Sequence, residues 1–212
     1  MQAGAKRAIT AVAFLAAAAV SVAGQGAAGG GAAGQGGGGG RAGGGRGPAG
    51  PPLTISSTAL TDLQILPAKY GCAATPPNVS PPISWTNSPA GTQSFALMVQ
   101  DQEPRPARGV QPFPHWWIWN IPATATSLPE GVPNTGELAD GARQTPSQLN
   151  GATITYRSPC PPAPQVHHYT FDLYALDTKL DTLASGASRD DLNKAMDGHV
   201  IGHAVMVIPF HQ

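Results

Sequence analysis

Four runs of apolar residues between Leu53 and the C-terminus have the composition of β-strands. They cover Ser94–Gln100, His115–Ile121, His168–Leu176 and His203–Phe210. Each run is rich in aromatic and β-branched residues, and several alternate apolar with polar positions, which is the period of a strand. Segments rich in proline and glycine separate the runs and exclude long helices. The pattern therefore predicts a domain that is mostly β.

One segment near the C-terminus has the pattern of a helix instead. Ser188 is a suitable N-cap, two aspartates follow in the positively polarised first turn, and Gly198 is a suitable end. Farther upstream, Asn150-Gly151 is a strong signal for a tight turn between two strands. We therefore expect one or two short helices beside the strands.

The N-terminal residues have the pattern of a secretory signal. Lys6 and Arg7 precede an apolar run from Ala8 to Val20. Small residues then follow up to Ala23, as a signal peptidase requires. The run is short for a membrane span, and no cluster of stop-transfer charges follows it. We expect residues 1–23 to be a cleaved signal peptide of a secreted or periplasmic protein. The alternative is a retained segment that tethers the protein to a membrane.

Residues 24–52 are dominated by glycine. The stretch from Gly24 to Gly50 holds 16 of the 27 glycines and almost no side chain that can be buried. Because the entropy of such a backbone opposes any compact state, this segment is predicted to be a disordered, flexible linker. Residues 53–212 then form one domain, which is long enough for a hydrophobic core of its own.

The charge balance limits the choice of partners. The chain carries 12 basic and 12 acidic residues, and cleavage of the signal would remove two of the basic ones. A slightly acidic protein is a poor match for nucleic acid or for an anionic membrane as main partner. Any anion recognition must therefore rely on a few donors that converge on one point.

The two cysteines have two possible uses. In an oxidising compartment, Cys72 and Cys160 would form one disulfide across a long loop. Alternatively, Cys160 would be a thiolate nucleophile activated by the nearby His167, as in cysteine hydrolases. Export favours the disulfide, because a free thiol is vulnerable outside the cell.

Several polar residues lie at the ends of the strand-like runs, where a rigid scaffold usually presents its binding groups. They are Asp101, His115, the run Ser158-Pro-Cys-Pro-Pro162 and His167-His168-Tyr169. Each also has a structural explanation, since an aspartate can cap a turn and a histidine beside tryptophans can be a core residue. His167 and His168 cannot both face the same side of a strand.

The chain resembles the phosphatidylethanolamine-binding proteins, specifically the bacterial branch called Raf-kinase-inhibitor-like proteins. The resemblance runs from about Leu53 to the end. It rests on the order and spacing of several motifs, which are Asn78–Trp85, Pro89–Leu97, Asp101, His115–Pro122, Leu128–Gly131, Pro159–Pro162, His167–Leu176 and Gly198–Gly202. The resemblance implies a β-sandwich of two sheets with one or two short helices. It also implies a surface pocket for phosphate-like or carboxylate anions.

Carried over position by position, the resemblance assigns a set of residues to this pocket. The predicted ligand-binding residues are Asp101, Glu103, His115, Pro161, Pro162, His167 and Tyr169. Imidazoles and a phenol can donate hydrogen bonds to an oxyanion, while Asp101 would fix a tautomer or bind an amine head group.

Two motifs differ from those usual in the family. Residues 101–105 read Asp-Gln-Glu-Pro-Arg where Asp-Pro-Asp-Ala-Pro is usual, so Glu103 replaces a carboxylate. The usual His-Arg-Tyr reads His-His-Tyr at residues 167–169, which removes an arginine. Arg105 is a candidate to restore that charge.

We therefore predict an exported binding protein without catalytic activity or cofactor. Its ligand would be a small anion or a phospholipid head group, with a partner protein as a further target and a homodimer as one possible assembly. The alternative is a hydrolase that uses a histidine–carboxylate pair or Cys160, although no Gly-x-Ser-x-Gly motif occurs. A metal site is not predicted, because Gly198 and Gly202 interrupt any helix that would align His199 and His203.

Overall fold

The computed structural model of the protein describes residues 50–103 and 111–212. The predicted signal peptide, nearly all of the predicted linker and Arg105 lie outside the described residues. The part of the chain that is described contains ten strands, a 3₁₀ turn at Ala68–Tyr70 and one α-helix, α1, at Arg189–Met196. The strands are β1 Thr54–Ser56, β2 Ile83–Thr86, β3 Ser94–Asp101, β4 Phe113–Pro122, β5 Ser127–Leu128, β6 Arg143–Gln144, β7 Ser147–Leu149, β8 Ala152–Ile154, β9 His167–Leu176 and β10 Val200–Phe210.

The strands form two sheets and a hairpin. The main sheet has five strands in the order β10-β9-β3-β4-β6, and the second has three in the order β1-β2-β5. Strands β7 and β8 pair with each other alone. All of these pairings are antiparallel. This is the mostly β architecture of two sheets that the sequence predicts.

The main sheet is buried on both faces, which is why β3 is a nearly continuous run of buried residues. One face packs against the second sheet, where Trp85 and Phe95 bring their ring centroids to 5.2 Å. The other face is covered by the segment that contains α1, through Leu180, Leu192 and Met196. The alternation along each strand thus supplies two separate cores. Trp116 lies in the first core, whereas Trp117 and Trp119 lie in the second.

The strands, the helix and the turn that short stretches of the sequence predict are confirmed. The four long strands match the four apolar runs to within three residues at each end. Ser188 caps α1 in a reciprocal arrangement in which its side chain and that of Asp191 each accept a backbone N–H. Asn150 and Gly151 both have positive φ at the turn of the β7–β8 hairpin. None of the helices within the described residues is long and apolar enough to cross a membrane.

The predicted disulfide is present. Cys72 and Cys160 are bonded, with their Cα atoms 5.3 Å apart and a sequence separation of 88. The backbone N–H of Cys72 also donates to the carbonyl of Pro159 at 3.0 Å. The bond therefore fixes the segment before β9 to the segment after the 3₁₀ turn. Because Cys160 is bonded, it cannot act as the thiolate nucleophile of the alternative hypothesis.

Replacing both cysteines with alanine should lower the free energy of unfolding by about 4 kcal/mol, because the unfolded chain regains the entropy of a long open loop. Denaturant unfolding followed by tryptophan fluorescence measures this change. The unaltered protein under reducing conditions should lose the same amount, and its unreduced form should contain no titratable thiol. A loss below about 1 kcal/mol would show that the loop is held by other contacts.

Candidate functional site

A cavity of about 200 Å³ opens at one end of the main sheet. It lies where β3 ends and where β4 and β9 begin, beside the segment that leads from β8 to β9. Its lining consists of Asp101, Phe113, His115, Arg157, Ser158, Cys160, Pro162, His167 and Tyr169. We call this the main cavity. Its volume is below the usual range of pockets for drug-sized ligands, so it is suited to a small group.

Strand register brings the polar residues together. Asp101 on β3 pairs with Phe113 on β4 and with Tyr169 on β9, so these three residues form one row across the sheet. His167 precedes Tyr169 by two positions and therefore faces the same side of β9. The next residue, His168, faces the opposite side and is exposed, whereas His167 is buried. The alternation thus separates the two adjacent histidines, and His167 is the one at the cavity.

A β-bulge places His115 in the same cavity. Val99 of β3 pairs with Trp116, whereas the next residue, Gln100, pairs with Pro114, so His115 is an extra residue in β4. Bulges redirect the side chains of the strand that carries them, and they are common next to functional sites. As a result, the His115 ring lies edge-on to the ring of Tyr169, with centroids 5.0 Å apart.

Asp101 and His167 form a buried ion pair or neutral hydrogen-bonded pair. Oδ2 of Asp101 lies 2.8 Å from Nδ1 of His167, and only 3% of Asp101 and 6% of His167 is exposed. The second oxygen of Asp101 accepts the backbone N–H of Glu103. Because a carboxylate can only accept, Nδ1 of His167 carries a proton. Asp101 therefore fixes the orientation of the ring.

The other nitrogen of His167 faces the side chain of Gln165. Nε2 lies 3.1 Å from the amide oxygen, which corresponds to a ring that donates from both nitrogens. If the side-chain amide of Gln165 were rotated by 180°, its NH₂ group would instead donate to Nε2 of a neutral ring. Gln165 can therefore pair with Nε2 of His167 in either orientation of its amide group.

His115 is held in one tautomer by the main chain. Its Nδ1 lies 2.7 Å from the carbonyl oxygen of Arg157, so Nδ1 must donate and Nε2 is the nitrogen left for a ligand. Burial lowers the pKa of His115 below its ordinary value of 6.5, although the hydrogen bond to Arg157 and the charge of Asp101 oppose that effect. The ring is therefore neutral at physiological pH, with an accepting Nε2.

The hydroxyl of Tyr169 is buried beside the carboxylate of Asp101 and the backbone of Cys160, but it forms no hydrogen bond of good geometry among the described residues. Burial, followed by the nearby charge of Asp101, raises the pKa of this hydroxyl well above its ordinary value of 10. The group therefore stays protonated and can donate. A ligand oxygen in the cavity would offer it an acceptor of better geometry.

The wall opposite the sheet is made rigid by reciprocal bonds. The backbone N–H of Asn78 donates to the hydroxyl of Ser158 at 2.9 Å, and the backbone N–H of Ser158 donates to the Asn78 side chain at 3.1 Å. The disulfide at Cys160 follows two residues later. Ser158 thus keeps its own hydroxyl proton free to rotate toward the cavity.

Arg157 is the residue that sequence reasoning missed. It lines the main cavity, and its guanidinium carbon lies 5.3 Å from the centre of the Phe113 ring. Among the described residues, no carboxylate lies within ion-pair distance of Arg157. Its position directly before the Ser158–Pro162 run was the available signal. Arg157 supplies a permanent positive charge at the main cavity.

The predicted site residues do not all lie at the cavity. Asp101, His115, Pro162, His167 and Tyr169 line it, whereas Glu103 and Pro161 do not. Pro161 is buried, and its carbonyl accepts from the side chain of Gln212. It therefore contributes to the support of the wall. The assignment of ligand contacts stays a prediction.

Glu103 binds His168 on the exposed side of β9. Its carboxylate accepts both the backbone N–H and the ring Nδ1 of His168. Partial burial raises the pKa of Glu103, but these hydrogen bonds outweigh burial and lower the pKa below its ordinary value. Glu103 and His168, one differing residue from each of the two motifs, thus pair with each other outside the cavity.

His199 and His203, which have the spacing of metal ligands on a helix, each bond to an aspartate. His199 bonds to Asp177 and His203 bonds to Asp172, each through one ring nitrogen. The described part of the chain contains no group of three or more side chains that could hold a metal ion. The spacing of His199 and His203 therefore reflects two separate ion pairs at the outer strands.

The sequence is similar to one known protein family and to several individual proteins. The sequence profile of the phosphatidylethanolamine-binding proteins matches residues 56–211. The chain belongs to this family. A UPF0098 protein of Methanothermobacter thermautotrophicus is 41% identical over 155 residues, which cover 73% of this chain and 96% of that protein. A Mycobacterium tuberculosis protein named as lipoprotein LppC is 35% identical over 77% of this chain and 74% of its own length.

Solved structures of the phosphatidylethanolamine-binding protein family support the same fold. The homologue CT736 of Chlamydia trachomatis has a TM-score of 0.63 at 29% identity and matches 76% of this chain and 98% of its own. Escherichia coli YbcL has a TM-score of 0.64 at 24% identity, with the same shares covered, and shows the fold alone. The two-sheet fold of this family is therefore established for the matched residues 56–211.

The lowered pKa of His115 predicts a pH dependence of stability for this family member. Below pH 6.5 the unfolded chain protonates this histidine while the folded chain does not, so the folded state loses stability as pH falls. The slope from this one group cannot exceed about 1.4 kcal/mol per pH unit. Replacement of His115 with glutamine should reduce the slope of unfolding free energy between pH 6.5 and 5, as measured by denaturant unfolding.

The same substitution at the exposed His211 is the matched control and should leave the slope unchanged. Carboxylates with a lowered pKa, such as Glu103, change the stability of the folded state mainly below their ordinary pKa of 4.5, which lies under this pH range. An identical slope in the His115→Gln variant and the unaltered protein would mean that the folded state protonates His115 as readily as the unfolded chain.

Proposed function

We propose that the protein binds a small oxyanion, of the phosphate or carboxylate class, in the main cavity and does not transform it. The observation that carries this proposal is Arg157, which lines the main cavity beside Tyr169 and has no carboxylate within ion-pair distance among the described residues. A cation without a paired carboxylate, next to a protonated hydroxyl, suits an anionic ligand. Membership in the phosphatidylethanolamine-binding protein family supports a binding role.

The cavity offers three kinds of donor to an oxyanion. Tyr169 offers an O–H, Ser158 can turn its hydroxyl proton inward, and Arg157 offers several N–H groups with a full charge. Hydrogen bonds in which one partner is charged are about twice as strong as neutral ones. The convergence of these groups from β9 and from the segment before it explains how a slightly acidic protein can hold an anion.

His115 makes the proposed binding depend on protons. Its accepting Nε2 would repel a fully ionised oxygen but can receive a hydrogen bond from a protonated one. A phosphate group has a second pKa of about 6, so near neutral pH it can keep the proton that Nε2 needs. The complex therefore holds one proton between His115 and the ligand.

Asp101 serves the site by orienting His167. Both of its oxygens already accept a hydrogen bond, from His167 and from the backbone of Glu103. This occupancy supports the tautomer-fixing role over direct capture of an amine head group. The negative charge of Asp101 is balanced when His167 is protonated, which leaves the positive charge of Arg157 for the ligand.

The geometry gives little support to the hydrolase alternative. Nucleophilic catalysis needs a hydroxyl or thiol within hydrogen-bonding reach of its base. Among the described residues, the imidazoles of His115 and His167 bond only to Arg157, Asp101 and Gln165, and Cys160 is in the disulfide. We therefore propose binding without turnover.

We also propose that the protein acts outside the cytoplasm. The signal-like pattern of residues 1–23 supports export, as does a relative whose name includes the word lipoprotein. The disulfide fits an oxidising compartment, where such bonds persist.

Replacing Tyr169 with phenylalanine should weaken phosphate binding without disturbing the core. The change removes one donor to a charged ligand, a contribution of about 1.5–3 kcal/mol, so the dissociation constant should rise roughly ten- to hundredfold. Calorimetric titration with inorganic phosphate and with phosphorylethanolamine measures the effect. Vesicles of phosphatidylethanolamine, used as a third ligand, distinguish a lipid head group from a free anion.

The same substitution at Tyr174, on the opposite face of β9, is the matched control and should leave binding unchanged. Saturable binding that neither Tyr169→Phe nor His115→Ala weakens would exclude the main cavity as the site. Release of inorganic phosphate from phosphorylethanolamine would favour the hydrolase.

Export can be tested in a bacterial host that produces the full chain. We expect the protein in the periplasmic fraction, with a new N-terminus close to Gly24 as read by mass spectrometry. Leu15→Asp places a charge in the apolar run and should leave the uncut protein in the cytoplasm. An unaltered chain that keeps residues 1–23 and stays in the cytoplasm would contradict export.

A further inference from the structure

A second cavity of about 160 Å³ adjoins the main cavity. The two share Phe113, His115 and Arg157 as lining residues, so they lie next to each other. The residues that line the second cavity alone are Pro114, Trp116, Trp117, Thr145, Ser147 and Thr155. We call it the side lobe. Together the two cavities reach the lower end of the volume range of pockets for organic ligands.

The side lobe lies in a gap at the edge of the main sheet. On this edge β4 pairs with β6 only at Ile118 and Trp119, and the backbone of Arg157 next contacts β4 at His115. Trp117 lies between these two contacts. The gap therefore comes from the short length of β6, and it leaves β4 open next to the main cavity.

The two walls of the side lobe differ in chemistry. The β4 wall is aromatic and includes Phe113, Trp116 and Trp117. On the other wall, the hydroxyl of Thr145 donates to the carbonyl of Ala187, and the hydroxyl of Thr155 donates to the side chain of Asn134. These two oxygens therefore remain as acceptors for a ligand.

An aromatic wall facing hydroxyl oxygens suits a ring that is apolar on its faces and polar at its edge. Hydroxyl groups on such a ring can donate to the threonine oxygens. A bare phosphate would leave the side lobe without an organic occupant.

We propose that the side lobe is a subsite for the organic part of the ligand, and that the ligand is a phosphomonoester of a hydroxylated ring, the class that includes sugar phosphates. This inference rests on the proposed function, because it places the phosphate in the main cavity. Arg157, shared by both cavities, lies at the junction and contacts the phosphate from the side of the ring.

The probes are glucose 1-phosphate and inorganic phosphate, titrated separately into the full protein by calorimetry. The unaltered protein should bind glucose 1-phosphate at least tenfold more tightly than phosphate. Ser147 is exposed and lines only the side lobe, so Ser147→Phe can fill the lobe at little cost in stability. This variant should lose the tenfold preference and bind phosphate as before.

Ser127→Phe is the matched control, because Ser127 is exposed on β5 and lines neither cavity. It should retain the preference. Equal affinity for the two probes, or a preference that survives Ser147→Phe, would overturn the side-lobe inference and leave phosphate binding intact. Failure of both probes to bind would overturn the proposed function and this inference with it.

Discussion

The burial of the Asp101 carboxylate is the constraint on which the candidate site depends. A buried charge is costly unless it is paired and hydrogen-bonded, and Asp101 meets both conditions through His167 and the backbone of Glu103. The pairing requires β3 and β9 to keep their register, because a shift of one residue would turn His167 to the other face. The same register places Tyr169 beside Asp101. The electrostatics of one carboxylate thus fix three of the polar groups at the cavity.

The fourth polar group at the cavity, His115, depends on the β-bulge in β4. Without the bulge, regular alternation would place His115 and Trp117 on one face of β4, with His115 away from Tyr169. The extra residue reverses the alternation of side chains at this point of β4. Phe113 and His115 therefore both line the main cavity, while Trp117 packs in the second core. Since the disulfide holds the opposite wall, both sides of the cavity are set by constraints outside the ligand-contacting atoms.

The fold could be predicted from the sequence because the signals were local and strong. The apolar runs, the Ser188 cap and the Asn150-Gly151 turn each specify their own structure. The bulge at His115 and the pairing of Glu103 with His168 could not be predicted, because they depend on the register between strands. Arg157 was missed although it directly precedes the Ser158–Pro162 run, because its contact with Phe113 joins two segments that are distant in sequence.

The departures from the usual motifs fit together in the structure. His168 stands where an arginine is usual and Glu103 stands where an aspartate is usual, and these two residues bond to each other. If Glu103 were free, its carboxylate would add a second negative charge near Asp101 and oppose an anionic ligand. Its pairing with His168 directs that charge to the exposed side of β9. The favourable charge at the cavity comes from Arg157, on the segment before β9.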